Sequence, residues 1–209
     1  MNGYADACRT IVALGASMFG RGLTFGRTGN LSVRLDDSIV VTPTGSSLGA
    51  LDVDGLSVID LAGDHVGGAV PSKEAFLHAA VYRSRPAECA VVHLHSPHAV
   101  AVSCLADVDA ADVLPPLTAY YVMRVGTLPL LPFHAPGDKS LEALVESTAR
   151  DHHCFLLANH GSVAAGADLA AAADAAEELE ETARLHLALM AHRTRPLDEA
   201  QVASLARRG

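Results

Sequence analysis

Two short histidine motifs are the features of this 209-residue sequence best suited to chemistry. His93 and His95 stand two apart in an apolar run, residues 90–95, and His160 follows a second apolar run, residues 154–158. Residues two apart on a strand point to one face, so both imidazoles of the first motif can converge. Three imidazoles that leave one position open are typical of a catalytic zinc site. Each motif alone could also be a satisfied polar group, since the chain has 11 histidines.

A carboxylate, Glu74, stands at the first turn of a helix predicted over residues 73–83. In isolation a glutamate at such a place serves the helix dipole. Next to a dication it could instead be a fourth ligand or a proton shuttle. Because this helix leads directly into the strand of His93, the two could lie close in space.

Three turn-forming segments have the composition of an anion-binding site. Asn30 follows Gly29 at the start of a strand, residues 42–47 follow a hairpin, and Ser72 with Lys73 opens the helix. Hydroxyls, loop amides and a helix N-terminus are what a phosphate monoester needs, and a lysine could add a point charge. The sequence has no Walker loop, and each segment by itself is also an ordinary turn.

Helical and strand patterns alternate along the chain and indicate the elements that must position these residues. Apolar periodicity and capping residues predict helices over residues 4–22, 73–83, 97–105, 116–123, 138–150, 168–192 and 197–207. Short apolar runs predict strands over residues 30–35, 39–42, 56–61, 90–95, 128–131 and 154–158. This interspersed order, with an early hairpin, predicts an α/β sandwich with a mixed or antiparallel sheet in a single domain, residues 1–209.

The composition excludes several classes of partner. The formal net charge is −9, which argues against nucleic acid or an anionic membrane as the main partner. No segment reaches the ~20 apolar residues that span a bilayer, and the N-terminus lacks the basic and apolar regions of a signal peptide. Four scattered cysteines without a CxxC motif favour free thiols and a cytoplasmic location.

Taken together, five motifs resemble the class II aldolase/adducin-like family of zinc-dependent sugar-phosphate lyases, and the resemblance extends from about Gly22 to His192. The motifs appear in the family order: Thr28-Gly29-Asn30-Leu31-Ser32, Thr42-Pro43-Thr44-Gly45, Pro71-Ser72-Lys73-Glu74, His93-Leu94-His95 and Asn159-His160-Gly161. The resemblance implies a three-layer α/β/α sandwich with a central, mainly antiparallel sheet. It also implies a homo-oligomer, usually a tetramer, with sites between subunits.

The same resemblance assigns roles to individual residues. Three histidines would ligate one zinc ion, or another divalent metal, in each subunit: His93, His95 and His160. Glu74 would be the general acid/base. Four residues would hold the substrate phosphate: Asn30, Thr44, Gly45 and Ser72. Fuculose-phosphate aldolases usually have a second serine at the position of Lys73. The lysine of this chain therefore departs from the pattern of a simple aldolase.

Three further stretches resemble the branch that acts on 3-oxo-tetronate 4-phosphates: residues 71–78, 114–126 and 177–183. Those enzymes are carboxy-lyases that convert a phosphorylated four-carbon 3-oxo sugar acid to dihydroxyacetone phosphate and carbon dioxide. The family's ribulose-phosphate 4-epimerases use a tyrosine near the C-terminus, and this chain has no tyrosine after Tyr121.

The expected mechanism is the loss of carbon dioxide through a zinc-stabilised enediolate. Glu74, or a water that it holds, would then protonate the enediolate. Lys73 could bind the phosphate or the departing carboxylate. Tyr120 or Tyr121 could donate a proton from a neighbouring subunit, although a buried helical tyrosine is the more common explanation.

Three alternatives remain at this stage. An aldolase of the fuculose-phosphate type would release dihydroxyacetone phosphate and an aldehyde instead of carbon dioxide. A dehydratase of a thiosugar phosphate could use the same metal site. A non-catalytic module like the adducin head would lack the histidines or the acid, all of which are present here.

Overall fold

A single eight-stranded sheet organises the computed structural model, which describes residues 2–206. The strands are β1 Asn30–Leu35, β2 Ser38–Val41, β3 Ser57–Asp60, β4 His65–Gly68, β5 Ala90–Leu94, β6 Leu130–Leu131, β7 Cys154–Leu157 and β8 Gly161–Gly166. Their order across the sheet is β4-β3-β2-β1-β5-β8-β7-β6. Every neighbouring pair is antiparallel except β6 and β7, so the sheet is mixed but mainly antiparallel, as predicted.

Helices cover both faces of the sheet and complete the three-layer sandwich. They are α1 Asn2–Gly20, α2 Ala75–Ser84, α3 Pro97–Ser103, α4 Ala119–Arg124, α5 Glu142–Asp151, α6 Leu169–Leu189 and α7 Glu199–Ala206. One buried core contains side chains of α1, α3, α4 and α6, and the other contains side chains of α2 and α5. None of the described helices is both long enough and apolar enough to cross a membrane.

The central strands distribute their side chains alternately between these two cores. On β5, Val92 and Leu94 belong to the core under α1 and α6, whereas Val91 belongs to the core under α2 and α5. On β1, Leu31 belongs to the first of these cores. Because the period of a strand is two residues, the polar residues between these positions face α2. The alternation therefore brings the functional residues of β1 and β5 beneath one helix.

Most predicted elements are confirmed, and two strands were missed. Both missed strands, β4 and β8, are rich in glycine or alanine and lack the dense β-branched pattern of β5. The helix predicted from Lys73 begins only at Ala75, and the one predicted from Pro116 begins at Ala119. Thr118 caps the latter helix by accepting a hydrogen bond from the Tyr121 amide at 3.1 Å. All four cysteines are free thiols.

Candidate active site

Glu74, His93, His95 and His160 form one cluster, in which one side-chain atom from each residue lies within 4.8 Å of the others. Glu74 Oε1 lies 3.0 Å from His160 Nε2, and Glu74 Oε2 lies 3.2 Å from His93 Nε2. The Nε2 atoms of His93 and His95 are 3.2 Å apart. The three imidazoles thus face a common point, as the two histidine motifs predict.

The turn before β8 explains how His160 reaches the end of β5. Asn159 adopts a left-handed backbone conformation with φ 56°, which asparagine tolerates better than most residues. Gly161 is required because a Cβ atom there would lie 2.2 Å from the Leu94 carbonyl oxygen. The close approach of these strands therefore places His160 beside His93 and His95.

On the opposite side of β5, strand β1 brings Asn30 to the cluster. Asn30 pairs directly with His93 in the antiparallel ladder. Gly29 precedes it with φ +79°, and a Cβ atom there would lie 2.9 Å from the His93 carbonyl oxygen. Asn30 Nδ2 donates a 3.0 Å hydrogen bond to Glu74 Oε2, so the amide holds the carboxylate.

Glu74 occupies the N-cap position of α2 but makes no capping bond with its side chain. Burial alone would raise the pKa of Glu74, but the imidazoles of His93 and His160 outweigh it and hold the pKa well below its usual range. Burial opposes protonation of His93, yet the Glu74 carboxylate raises the pKa of His93. The carboxylate therefore favours a positive charge at His93 Nε2, which is what a metal ion there would also supply.

The nitrogens of the cluster suit a metal ion. His93 Nδ1 donates to the Ser162 carbonyl at 2.8 Å, which directs Nε2 towards the cluster. Burial, together with His93 and His160, lowers the pKa of His95 to about 3, so its imidazole is neutral. His160 Nε2 is buried and makes no assigned hydrogen bond within residues 2–206, although Glu74 Oε1 lies 3.0 Å away. Imidazole nitrogens and a carboxylate are donors that divalent transition metals accept.

The predicted anion-binding segments open onto the same cleft as the cluster. Pro43 and Pro71 form an isolated bridge, the Thr44 amide donates to the Val70 carbonyl at 3.0 Å, and the Ser72 amide donates to the Thr42 carbonyl at 3.2 Å. These bonds hold the two loops side by side. Five predicted anion-binding residues line the cleft together with Glu74, His95 and His160: Asn30, Thr44, Gly45, Ser72 and Lys73.

The two candidate tyrosines lie outside this cleft. Tyr121 is a core residue whose hydroxyl donates to the Leu114 carbonyl, so the explanation as a buried helical tyrosine fits it. Tyr120 is 60% exposed on α4, where the Arg124 guanidinium lies 5.2 Å from its ring centre. Within its own chain, Tyr120 does not reach the cluster.

Sequence reasoning missed two residues of this region. Arg27 lines the cleft, although it sits in a loop without a recognisable spacing signal. His78, to which the sequence motifs assign no role, is a fully buried residue on α2 that bonds Asn30. The helical spacing of Glu74 and His78, four residues apart, was the one available signal that they share a face.

Comparisons with known proteins agree with this geometry. Residues 9–187 match the family described as Class II Aldolase and Adducin N-terminal domain. The chain is 48% identical to a 3-oxo-tetronate 4-phosphate decarboxylase of Haemophilus influenzae, over 95% of both sequences. It is 35% identical to an L-fuculose phosphate aldolase of Escherichia coli, over 88% of this chain and 83% of the relative. The solved structure of YgbL from Klebsiella pneumoniae superposes with a TM-score of 0.94 at 43% identity, covering 97% of this chain and 98% of that one.

We expect His95→Ala to lose the bound metal, because it removes one of three converging imidazoles. Metal content per chain, measured by elemental analysis after dialysis, should fall from about one ion to a small fraction of that value. His65→Ala is the matched control, since His65 is an exposed histidine of β4 whose side chain bonds the Gly67 carbonyl of the same strand. Equal metal content in both variants would contradict the cluster as the metal site.

Proposed function

Since the chain belongs to the class II aldolase and adducin family, we propose that it is a metal-dependent carbon–carbon lyase that decarboxylates a 3-oxo-tetronate 4-phosphate. The products are dihydroxyacetone phosphate and carbon dioxide. The observation that carries the proposal is the cluster of Glu74 with three imidazoles at the end of an anion-binding cleft. The decarboxylase relative at 48% identity supports this substrate over those of the aldolase relative at 35% identity.

We assign His93, His95 and His160 as the metal ligands and zinc as the metal. Three imidazoles that converge beside a cleft are the donor set of many catalytic zinc sites, and this donor set supports the choice. When bound, such a metal is a Lewis acid that draws electron density from a substrate carbonyl onto its oxygen. Glu74 is close enough to serve as a further ligand, but its charge and its bond to Asn30 suit proton transfer better.

Glu74 has the position and charge of a general acid/base. Cleavage of the bond between C2 and the carboxylate leaves an electron pair on C2, and carbon dioxide departs. That carbon then needs a proton to become the hydroxymethyl group of dihydroxyacetone phosphate. Glu74, after it takes a proton from solvent, or a water that it holds, delivers this proton to C2, and Asn30 fixes the carboxylate on which the transfer depends.

The substrate phosphate is assigned to the loops that line the cleft. Asn30, Thr44, Gly45 and Ser72 provide an amide, a hydroxyl, a glycine backbone and a second hydroxyl there. Gly45 has φ +69°, so the loop takes a turn that most side chains would disfavour. Small polar residues of this kind can surround a phosphate without blocking the metal site.

The proposed site includes a tyrosine, Tyr120, from a neighbouring copy of the chain. Tyr120 is exposed and lies outside its own cleft, so its role as a proton donor requires that a second subunit present it. We therefore propose a homo-oligomer, a tetramer by resemblance to the family. The four free cysteines favour a cytoplasmic location.

The reaction is tested by product analysis with synthetic 3-oxo-tetronate 4-phosphates. The zinc-loaded protein should release carbon dioxide and dihydroxyacetone phosphate in equal amounts, and Glu74→Gln should reduce turnover at least about 100-fold, the scale of general acid–base catalysis. Glutamine can still accept the Asn30 hydrogen bond, so metal content should stay unchanged. Aldehyde release from a fuculose phosphate without carbon dioxide release would favour the aldolase. Full turnover by Glu74→Gln would reject its assigned role.

Two cationic side chains give the cleft a charge suited to a substrate with two anionic groups. Lys73 and Arg27 both line it, although the chain as a whole is acidic. The proposed substrate carries a phosphate at one end and a carboxylate at the other, whereas a sugar phosphate carries only the phosphate. We propose that Lys73 binds one of these anionic groups and contributes to the choice of substrate.

Exchange of Lys73 for serine should weaken substrate binding. Lys73→Ser is expected to lower kcat/KM for the 3-oxo acid by about tenfold or more, since a charge-assisted hydrogen bond contributes about 1.5–3 kcal/mol. Lys139→Ser is the matched control, because Lys139 is the second of two lysines and is exposed outside the cleft. Steady-state kinetics in which both variants match the unmodified protein would exclude a role for Lys73.

A further inference from the structure

A continuous chain of buried polar groups extends from Glu74 into the core under α2. Beyond Asn30, His78 Nε2 bonds Asn30 Oδ1, His78 Nδ1 lies 2.6 Å from Ser32 Oγ, and Ser32 Oγ lies 2.7 Å from the Tyr82 hydroxyl. All five residues of this polar chain are less than a tenth exposed. Aliphatic and aromatic side chains of the sheet, α2 and α5 form the core in which it lies.

The charge of Glu74 determines the direction of every hydrogen bond in the polar chain. An ionised carboxylate can only accept, so Asn30 must direct its amide NH2 towards Glu74 and its carbonyl oxygen towards His78. That oxygen can only accept, so the proton of His78 must be on Nε2. Nδ1 then accepts from the Ser32 hydroxyl, and Ser32 accepts from Tyr82. One arrangement of protons satisfies all four bonds.

Burial gives each titratable member the protonation state that this arrangement needs. Burial, with a further contribution from His93, lowers the pKa of His78 to about 3, so the imidazole is neutral with one donor and one acceptor. Burial raises the pKa of Tyr82, so its phenol keeps the proton that it donates. The polar chain is therefore fully satisfied, which a buried polar network must be to avoid a large energetic cost.

The orientation of Asn30 has consequences in the cleft. If the amide flipped, its carbonyl oxygen would face the Glu74 carboxylate and also the cleft that must receive anions. Both contacts would be repulsive, and Glu74 would lose its hydrogen bond. The amide oxygen and the amide nitrogen of Asn30 are nearly equal in size and shape. Packing alone therefore does not fix the orientation of this side chain, and its hydrogen-bond partners must do so.

We propose that His78 is a positioning residue, whose Nε2–H tautomer holds Asn30 with its amide donors towards Glu74 and the substrate anion. The kinetic part of this inference rests on the proposed decarboxylase function. The tautomer itself does not, and it can be measured without substrate.

The tautomer is read by nitrogen NMR of the zinc-loaded protein with labelled histidines. Protonated and unprotonated imidazole nitrogens have well-separated 15N shifts, and a His78→Gln sample assigns the signals of His78. We expect a protonated Nε2 and an unprotonated Nδ1 at pH 7.5. A protonated Nδ1 would overturn the proposal whether or not the protein decarboxylates anything.

Two amide variants separate positioning from a merely structural role. The amide nitrogen of glutamine can occupy the place of His78 Nε2, whereas the shorter asparagine reaches only the place of Nδ1. We expect His78→Asn to lower kcat about 10- to 100-fold, as for other residues that orient ligands or catalytic groups, while His78→Gln restores most of it. Both variants should keep the metal content of the unmodified protein, because the three imidazoles of the cluster are unchanged.

The outcomes are distinct from those that test the reaction. An unchanged kcat in His78→Asn, or an equal loss of kcat in both variants, would overturn positioning by His78. If His78→Asn fails to fold, near-normal kcat in His78→Gln together with the Nε2–H signal supports the proposal, and a large loss in His78→Gln overturns it. Failure of the unmodified protein to release carbon dioxide would instead reject the reaction, and the NMR result would stand by itself.

Discussion

The contact of a buried carboxylate with the imidazoles of His93 and His160 is the interaction on which the rest of the site depends. Removing an ionised carboxylate from water costs several kcal/mol unless charged or hydrogen-bonding partners replace the solvent. Glu74 has His93 and His160 within 3.2 Å and an amide from Asn30 at 3.0 Å. The same negative charge attracts a cation to the imidazoles and fixes the protons of the groups behind it. The proposed metal binding, the proposed proton transfer and the proposed order of the polar chain therefore share one physical cause.

The sheet makes that contact attainable. Strand β5 lies between β1 and β8, so Asn30 and Val163 are the direct neighbours of His93 in the ladder. The two-residue period turns Asn30, Ser32 and His93 towards α2, whose N-cap residue is Glu74. A shift of one residue in the register of β1 would direct Leu31 at the site and Asn30 into the opposite core. Apolar packing on both faces of the sheet thus fixes the register that the chemistry needs.

The sequence predicts the histidine motifs well, because the residues that could bind a metal stand next to residues that the backbone conformation requires. The histidine pair ends a dense apolar strand, and Asn159 and Gly161 bracket His160 because a left-handed turn and a close strand approach require them. His78 and Arg27 were missed for opposite reasons. His78 lies within a mainly apolar helical pattern, where its polar spacing partners are Glu74 and the phenol of Tyr82. Arg27 lies in a loop whose path depends on tertiary contacts. Strand β8 was not predicted, because its residues are small and are buried only through the pairing of β8 with β5 and β7.

The central claim is that three imidazoles from two separate segments hold one metal ion beside Glu74. It is tested most directly by crystallography of the zinc-loaded protein with anomalous data at the zinc edge. The account predicts one anomalous peak at roughly 2.0–2.1 Å from Nε2 of His93, His95 and His160. A peak elsewhere on the chain, or a zinc ion bound without these imidazoles, would contradict it.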